Sequence, residues 1–334
     1  MRIAINGFGR IGKNFLWALL TDKKALQKIT IAAINIGPAK KEYVAHLFKY
    51  DSLLGTYPGD VALEGDTLRI DSIVIPILTE PQALHLPWKK MAIDWVVDCS
   101  GKYTHREKAQ EHISAGAKAV LISAPAHGDD VTIIPGVNDD AFNKVKHTIV
   151  SLGSCTTNAL LPLLYVLHKQ FDLHNALMTT IHAYTNSQVL LDVNDHDPRR
   201  SRAAALNIIP TTTGASASVA KVMPELGDKV KGIAMRIPLD KVSIIDLAFH
   251  IKKETTADDI NQVFRKAAEV GPLKNIITTT DQPLVSSDFK GNSSSVIVDE
   301  TLTLMQGAYG KVFGWYDNEW AYSVRLKDFL MNVA

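Results

Sequence analysis

Short apolar runs, several of them β-branched, punctuate the first 150 residues at Ile3–Ile5, Ile29–Ile34, Trp95–Val97, Ala119–Ile122 and Ile149–Val150. Runs of this length without polar alternation suit strands buried on both faces. Between them, Ile11, Phe15, Leu16 and Leu19 recur at helical spacing, and His105–Ala115 reads as a second helix capped by Thr104. Such strand–helix alternation predicts an α/β unit built on a doubly wound parallel sheet.

The second half has a different rhythm. Ser154–Leu167 reads as a helix with polar starters followed by Leu160, Leu161, Leu163, Leu164 and Val166. Longer strand-like runs follow at Ala176–Ala183, Gly232–Ile237, Val242–Ile251, Ser295–Val298 and Val312–Tyr316. Helices are expected near Ala215–Val222, Ala257–Ala268 and Ala321–Asn332. Long strands outnumbering helices predict an α+β domain with a mostly antiparallel sheet covered on one face. Thr185–Ala205 lacks periodicity and carries Asp, Asn, Pro and Arg, the pattern of a long functional loop.

Composition narrows the function classes. The chain has 334 residues, enough for two domains, with 46% hydrophobic and 21% charged residues, an ordinary globular balance. Its 36 Lys and Arg nearly cancel 35 Asp and Glu, which argues against a nucleic-acid or membrane-surface binder. The two cysteines, Cys99 and Cys155, form no disulfide framework and no metal-ligand spacing, so no metal site is expected. No apolar run is long enough to span a bilayer. The start, MRIAINGFGRIGK, lacks the apolar core of an export signal. A reducing, cytoplasmic setting is therefore expected.

Gly7-Phe8-Gly9-Arg10-Ile11-Gly12 matches GxGxxG after a strand and at the start of a helix. Glycines there allow a tight turn, close backbone approach to a pyrophosphate, and tight helix–strand packing, while the helix N-terminus supplies donors. The acid that normally accepts from the ribose 2′-hydroxyl about 20 residues on is missing. The chain reads Ala33-Ile34-Asn35-Ile36-Gly37-Pro38 instead, with Lys40 and Lys41 following. Two lysines suit a 2′-phosphate, or are simply a solvated pair.

Cys155, in Ser154-Cys155-Thr156-Thr157-Asn158, starts an apolar helix whose dipole and unpaired N–H groups favour a thiolate. Cys99 reads as a small buried hydrophobe. His182 ends a strand-like run and opens the polar loop, where a neutral imidazole can take a proton from a thiol or hydroxyl. Spacing alone does not pair it with Cys155. Arg199, Arg200, Arg202 and Arg236, with Thr211, Thr212, Thr213 and Gly214, are candidate anion-binding groups. Arg236 lies inside a strand, where a charge needs a partner, either a bound anion or an internal ion pair.

As a set, NGFGRIG, HLFKYDS, AGAKAVLISAP, SCTTN, TTIHAYTN, RAAALNIIPTTTGA, PLVSSDF and WYDNEWAYS resemble the phosphorylating glyceraldehyde-3-phosphate dehydrogenase family over the whole chain. The resemblance implies a Rossmann-type cofactor domain over 1–150, a catalytic domain over 151–316, and a C-terminal helix over 317–334 returning to the first. It implies a homotetramer that takes glyceraldehyde 3-phosphate and inorganic phosphate, with NAD or NADP as coenzyme and 1,3-bisphosphoglycerate as product. By motif, Cys155 is the nucleophile and His182 its base. Ser154, Thr156, Thr185, Arg200, Thr213, Gly214 and Arg236 hold the phosphate groups, with Arg199 and Arg202 left open as alternatives to Arg200. Gly7, Gly9, Arg10, Ile11 and Gly12 contact the coenzyme pyrophosphate, Ser123 lies near it, and Asn318 orients the nicotinamide carboxamide.

Several positions depart from the family. The NAD-selecting aspartate is absent, and Asp192-Val193-Asn194 stands where many NAD-selective members read Asp-Leu-Pro. Both departures point to dual or NADP-leaning use. Ala159 replaces a second cysteine, Ala321 replaces a glycine, and an arginine often found near Glu80-Pro81 is missing. The alternatives are erythrose-4-phosphate dehydrogenase, whose members generally alter the HAYTN and TTTGA segments, and a non-catalytic nucleotide-binding or interaction protein.

Overall fold

The first apolar run forms the strand Arg2–Asn6, buried at every position after Arg2. It lies between the parallel strands Thr30–Asn35 and Trp95–Asp98, which explains apolar residues without alternation. The computed structural model describes residues 1–334. The sheet continues through Ala119–Ile122, Ile149–Ser151 and Val131–Thr132 on one side, all parallel. On the other, Ile73–Leu78 pairs in parallel with Thr30–Asn35, and Thr67–Ile70 and Val61–Glu64 then add antiparallel. The nine-stranded sheet is thus parallel-rich, with an antiparallel edge that the apolar runs did not announce.

The helix Arg10–Leu20 buries Phe15, Leu16 and Leu19, as its spacing dictates. The second helix runs Arg106–Ser114, and the expected Thr104 cap is corrected: His105 is the N-cap and makes no side-chain cap bond. Thr104 instead offers its carbonyl to the backbone N–H of His127 at 2.8 Å, in a bridge where His105 and His127 stack. That pairing holds the chain extended one residue longer.

Two units result. One comprises Met1–Ile133, Asp140–Gly153 and Ser323–Ala334; the other comprises Ile134–Asp139 and Ser154–Tyr322. Within the first unit, Phe329 of the C-terminal helix Trp320–Val333 packs edge-on against Trp95 and Phe142, and Lys327 pairs with Asp22 at 2.6 Å.

The second unit is an eight-stranded mixed sheet in the order Ile209–Thr211, Val230–Ile237, Leu173–Ala183, Ser243–Ile251, Tyr309–Tyr316, Val296–Asp299 and Ile277–Thr280, with Leu304–Gln306 beside Tyr309–Tyr316. Leu173–Ala183 pairs in parallel with Val230–Ile237 and antiparallel with Ser243–Ile251. The helices Cys155–Phe171, Ala215–Val222 and Ala257–Glu269 cover one face, burying Leu160, Leu164, Val219 and Phe264 against Met178, Leu247 and Val312. The other face leaves Leu177, Ile233 and Tyr309 half to two-thirds exposed. Between Tyr184 and Arg202 the chain forms turns and bends, with only an isolated Val189–Ala203 bridge.

Candidate active site

The helix Cys155–Phe171 begins at the thiol because Ser154 caps it: the Ser154 hydroxyl accepts from the Thr157 N–H at 3.1 Å. Ser154 also bonds the Thr157 hydroxyl at 2.8 Å. His182 sits near the end of Leu173–Ala183, on the face toward the helices. The two elements bring Cys155 Sγ to 3.5 Å from His182 Nε2, joining residues that spacing could not pair.

Sheet register supplies the third member. His182 and Arg236 are Cα partners on adjacent parallel strands, so their side chains leave the same face. Arg236 Nη1 lies 2.5 Å from His182 Nδ1 and donates to the Ala183 carbonyl at 3.1 Å; His182 Nδ1 is also 2.6 Å from that carbonyl. Burial, then the Arg236 charge, depress His182 to about 3, against the Ala183 contact that raises it. The imidazole is unprotonated, as a general base requires.

Burial pushes the Cys155 thiol up, while Arg236, the Thr156 hydroxyl and the backbone N–H groups of Thr156 and Cys155 pull it down. Burial is the larger influence, so the helix N-terminus does not by itself ionise the sulfur as its position suggested. The resting pair is a thiol facing a neutral imidazole. Cys99, with Ser123 as hydrogen-bond partner, is pushed by burial up to about 12, an inert thiol.

Burial pushes the Arg236 guanidinium down, and the charge of Arg200 adds to this. Arg236 Nε is buried with no hydrogen-bond partner. Two neighbouring guanidiniums, one with an orphaned donor, fit a bound anion better than an internal ion pair. Arg200 Nε donates to Thr211 Oγ1 at 2.9 Å. Arg199 lines a cavity of about 680 Å³ with Thr211, Thr212, Thr213 and Lys231, whereas Arg202 is occupied by Asp192 at 2.7 Å. Gly214 caps Ala215–Val222 without a side-chain bond, and the Thr213 hydroxyl accepts from Ala215 N–H at 3.2 Å. Thr185 bonds Ser187 and Gln188 within its own turn. Thr156 is turned inward, its hydroxyl 3.1 Å from that of Tyr316.

In the first unit the GxGxxG glycines divide their labour. Gly7 has φ +92°, and a Cβ there would lie 2.5 Å from the Ser100 nitrogen. A Cβ on Gly12 would meet the Gly7 carbonyl oxygen at 2.2 Å, whereas one on Gly9 meets nothing within 4 Å. Turn, close packing and open space thus fall on the three glycines a dinucleotide cradle requires. Gly9 caps Arg10–Leu20 without a side-chain bond, so Ile11, in its first turn, shares a helix start suited to phosphate. The Arg10 guanidinium is held by Asp51, which Lys13 also meets at 2.9 Å. Burial raises the Asp51 carboxyl, but Arg10 and Lys13 outweigh it and hold the group well below the usual carboxylate range. Asn35 is fully used: it donates to Asn6 and the Glu80 carbonyl and accepts from Glu80 N–H. Ser123 follows Ala119–Ile122, its N–H on the Asp98 carbonyl at 2.9 Å.

Sequence reasoning missed the groups behind these residues. Asn318 Oδ1 accepts from Ser243, whose hydroxyl also takes the Ala183 N–H. Asp317 forms a buried pair with Lys241 at 3.0 Å. Tyr316 lies edge-on to His182, its hydroxyl between Thr156 and Thr180. Its only signal was membership in the WYDNEWAYS run.

Residues 1–106 match the family model described as glyceraldehyde 3-phosphate dehydrogenase, NAD binding domain, and residues 154–318 match the corresponding C-terminal domain. The chain is 44% identical over its full length to a glyceraldehyde-3-phosphate dehydrogenase of Streptomyces coelicolor, covering 98% of that relative. It is 45% identical to the chromosomal glyceraldehyde-3-phosphate dehydrogenase of Cupriavidus necator, again over the whole chain and 98% of the relative. It is 42% identical to glyceraldehyde-3-phosphate dehydrogenase 2 of Bacillus subtilis, covering 97% of it.

Proposed function

The chain belongs to the glyceraldehyde-3-phosphate dehydrogenase family, and from that premise we propose that it oxidises glyceraldehyde 3-phosphate through a thioester on Cys155 and passes the acyl group to inorganic phosphate. The observation that carries this reading is the Cys155 thiol 3.5 Å from an unprotonated His182, beside Arg236.

Cys155 Sγ attacks the aldehyde carbon while His182 Nε2 takes the thiol proton and returns it to the new oxyanion, giving a hemithioacetal. A bound nicotinamide coenzyme would supply the acceptor for the hydride that this carbon loses. His182 removes the hydroxyl proton as the carbonyl reforms, leaving a thioester. An oxygen of inorganic phosphate then attacks the acyl carbon, the C–S bond breaks, and 1,3-bisphosphoglycerate departs from the regenerated thiolate. Arg200 and Arg236, with Ser154, Thr185, Thr213, Gly214 and the backbone N–H of Thr156 at the helix start, hold the two phosphate groups. An anion beside Arg236 offsets the charge that depresses His182, so substrate binding strengthens the base. Turnover of glyceraldehyde 3-phosphate with and without phosphate tests the reading. Sustained turnover without phosphate indicates the hydrolytic erythrose-4-phosphate type of chemistry instead.

Gly7, Gly9, Arg10, Ile11 and Gly12 take the coenzyme pyrophosphate, with Ser123 nearby and Asn318 holding the carboxamide. Gly12→Ala should destabilise the protein by about 1–3 kcal/mol because the new Cβ meets backbone. Gly9→Ala should shift stability by less than about 0.5 kcal/mol yet weaken coenzyme binding. Thermal melts beside coenzyme titrations check both.

The coenzyme preference is dual or NADP-leaning. Ile36 stands where an acid would repel a 2′-phosphate, Asn35 has no spare acceptor, and exposed Lys40 carries no ion pair, whereas Lys41 pairs with Asp66. Ile36→Asp should lower kcat/KM for NADP by roughly ten- to a hundredfold relative to NAD. A strong NAD preference in the unmodified enzyme contradicts this.

The quaternary state is a homotetramer, supported by the half-exposed apolar sheet face at Leu177, Ile233 and Tyr309. The site of action is the cytoplasm; no helix is long and apolar enough to cross a membrane.

A further inference from the structure

Three buried hydroxyls connect the strand of the base to the helix of the nucleophile. Tyr316 OH lies 2.7 Å from Thr180 Oγ1 and 3.1 Å from Thr156 Oγ1, and Thr156 Oγ1 lies 4.0 Å from Cys155 Sγ. Thr180 and Tyr316 are at most 1% exposed and Thr156 is 5% exposed, so water does not compete for these groups. Each hydroxyl has one hydrogen to donate. If Thr156 donated to Tyr316 and Tyr316 to Thr180, the Thr180 hydrogen would be left without an acceptor in this row. In the opposite sense, Thr180 donates to Tyr316, Tyr316 to Thr156, and Thr156 to sulfur. Every hydrogen is then used, and a buried unpaired donor is avoided.

We propose that Tyr316 is a positioning residue whose hydroxyl, fed by Thr180, turns the Thr156 hydrogen onto Cys155 Sγ. The inference rests on Cys155 being the nucleophile. Sulfur is a weak acceptor as a thiol and a strong one as a thiolate, so the row favours charge on sulfur. It acts when the proton passes to His182 and again when the thiolate leaves the acyl carbon. The Tyr316 ring lies edge-on to His182 at 5.8 Å between centroids, a contact that phenylalanine preserves. Burial, then Cys155, push the Tyr316 phenol above its ordinary value, so it stays a donor and never serves as the base.

The test is the rate at which iodoacetamide alkylates Cys155 across pH, read by mass spectrometry of the Cys155 peptide in the full-length protein. Tyr316→Phe should slow alkylation at neutral pH by about three- to tenfold and move the midpoint of the profile upward, about one hydrogen bond's worth. Thr180→Val should act in the same direction. A folded Tyr316→Phe with an unchanged profile overturns the proposal, because a merely structural tyrosine moves melting and not thiol ionisation. Should Tyr316→Phe fail to fold, an unchanged profile in Thr180→Val overturns it instead. Alkylation reads the thiol directly, whereas lack of glyceraldehyde 3-phosphate turnover in the parent would strike the proposed function alone.

Discussion

Cys155→Ser should keep its fold and its coenzyme affinity while losing turnover by about 10⁴-fold or more. The sulfur does two things a hydroxyl cannot. At neutral pH a serine hydroxyl lies many pH units from ionisation, so His182 would have to remove a far less acidic proton during attack. The ester formed would also resist phosphate, because an alkoxide leaves less readily than a thiolate. Oxygen is smaller than sulfur and its bond to carbon shorter, which lengthens the present 3.5 Å approach to Nε2. Coenzyme reduction followed at 340 nm, with a thermal melt on the same sample, checks both halves. Residual activity above about one per cent contradicts the assignment.

His182→Asn should lower kcat/KM by roughly 10²–10⁴-fold, the usual contribution of a positioned base. Asparagine keeps a polar group beside the Ala183 carbonyl and Arg236, so the loss reports proton transfer rather than a collapsed strand. The same variant carries a stability signature. Burial and Arg236 push His182 from its ordinary 6.5 to about 3, so the unfolded chain takes up this proton at higher pH than the folded one. The group therefore contributes nothing above about pH 6.5 and opposes folding by roughly 1.4 kcal/mol per unit as pH falls from there toward 3. His182→Asn should flatten that part of the stability curve, measured by urea unfolding between pH 7 and 4. Equal slopes for parent and variant contradict the buried, neutral imidazole.

Much of this was legible in the chain because the informative residues are local. NGFGRIG carries a strand, a positive-φ turn and a helix start in seven consecutive residues, and each glycine meets the constraint its position announces. Ser154 capping a helix that opens with Cys155 is equally local. What could not be read depends on partners far along the chain. Cys155 and His182 are 27 residues apart, Thr180 and Tyr316 are 136 apart, and no periodicity encodes such pairings. Arg236 meets His182 only through strand register, which also separates the arginines of the loop. Arg200 turns to Thr211, Arg199 to the cavity and Arg202 to Asp192.

The desolvation of the sulfur was not legible in the chain. Helix position signals stabilisation by N–H groups, and the structure retains that pull, but sequence carries no measure of desolvation, which is larger here. The Thr104 cap failed similarly, since the bridge between His105 and His127 moved the helix start by one residue. The antiparallel edge at Thr67–Ile70 and Val61–Glu64 escaped notice because short, partly exposed strands leave little apolar signature.

The most direct measurement mixes the enzyme with glyceraldehyde 3-phosphate and coenzyme in the absence of phosphate, then follows reduction and the mass of the Cys155 peptide together. A burst of one reduced coenzyme per chain, a stall, and an acyl adduct on Cys155 that phosphate releases is the predicted result. Steady turnover without phosphate, or an adduct-free Cys155 during the burst, contradicts the account.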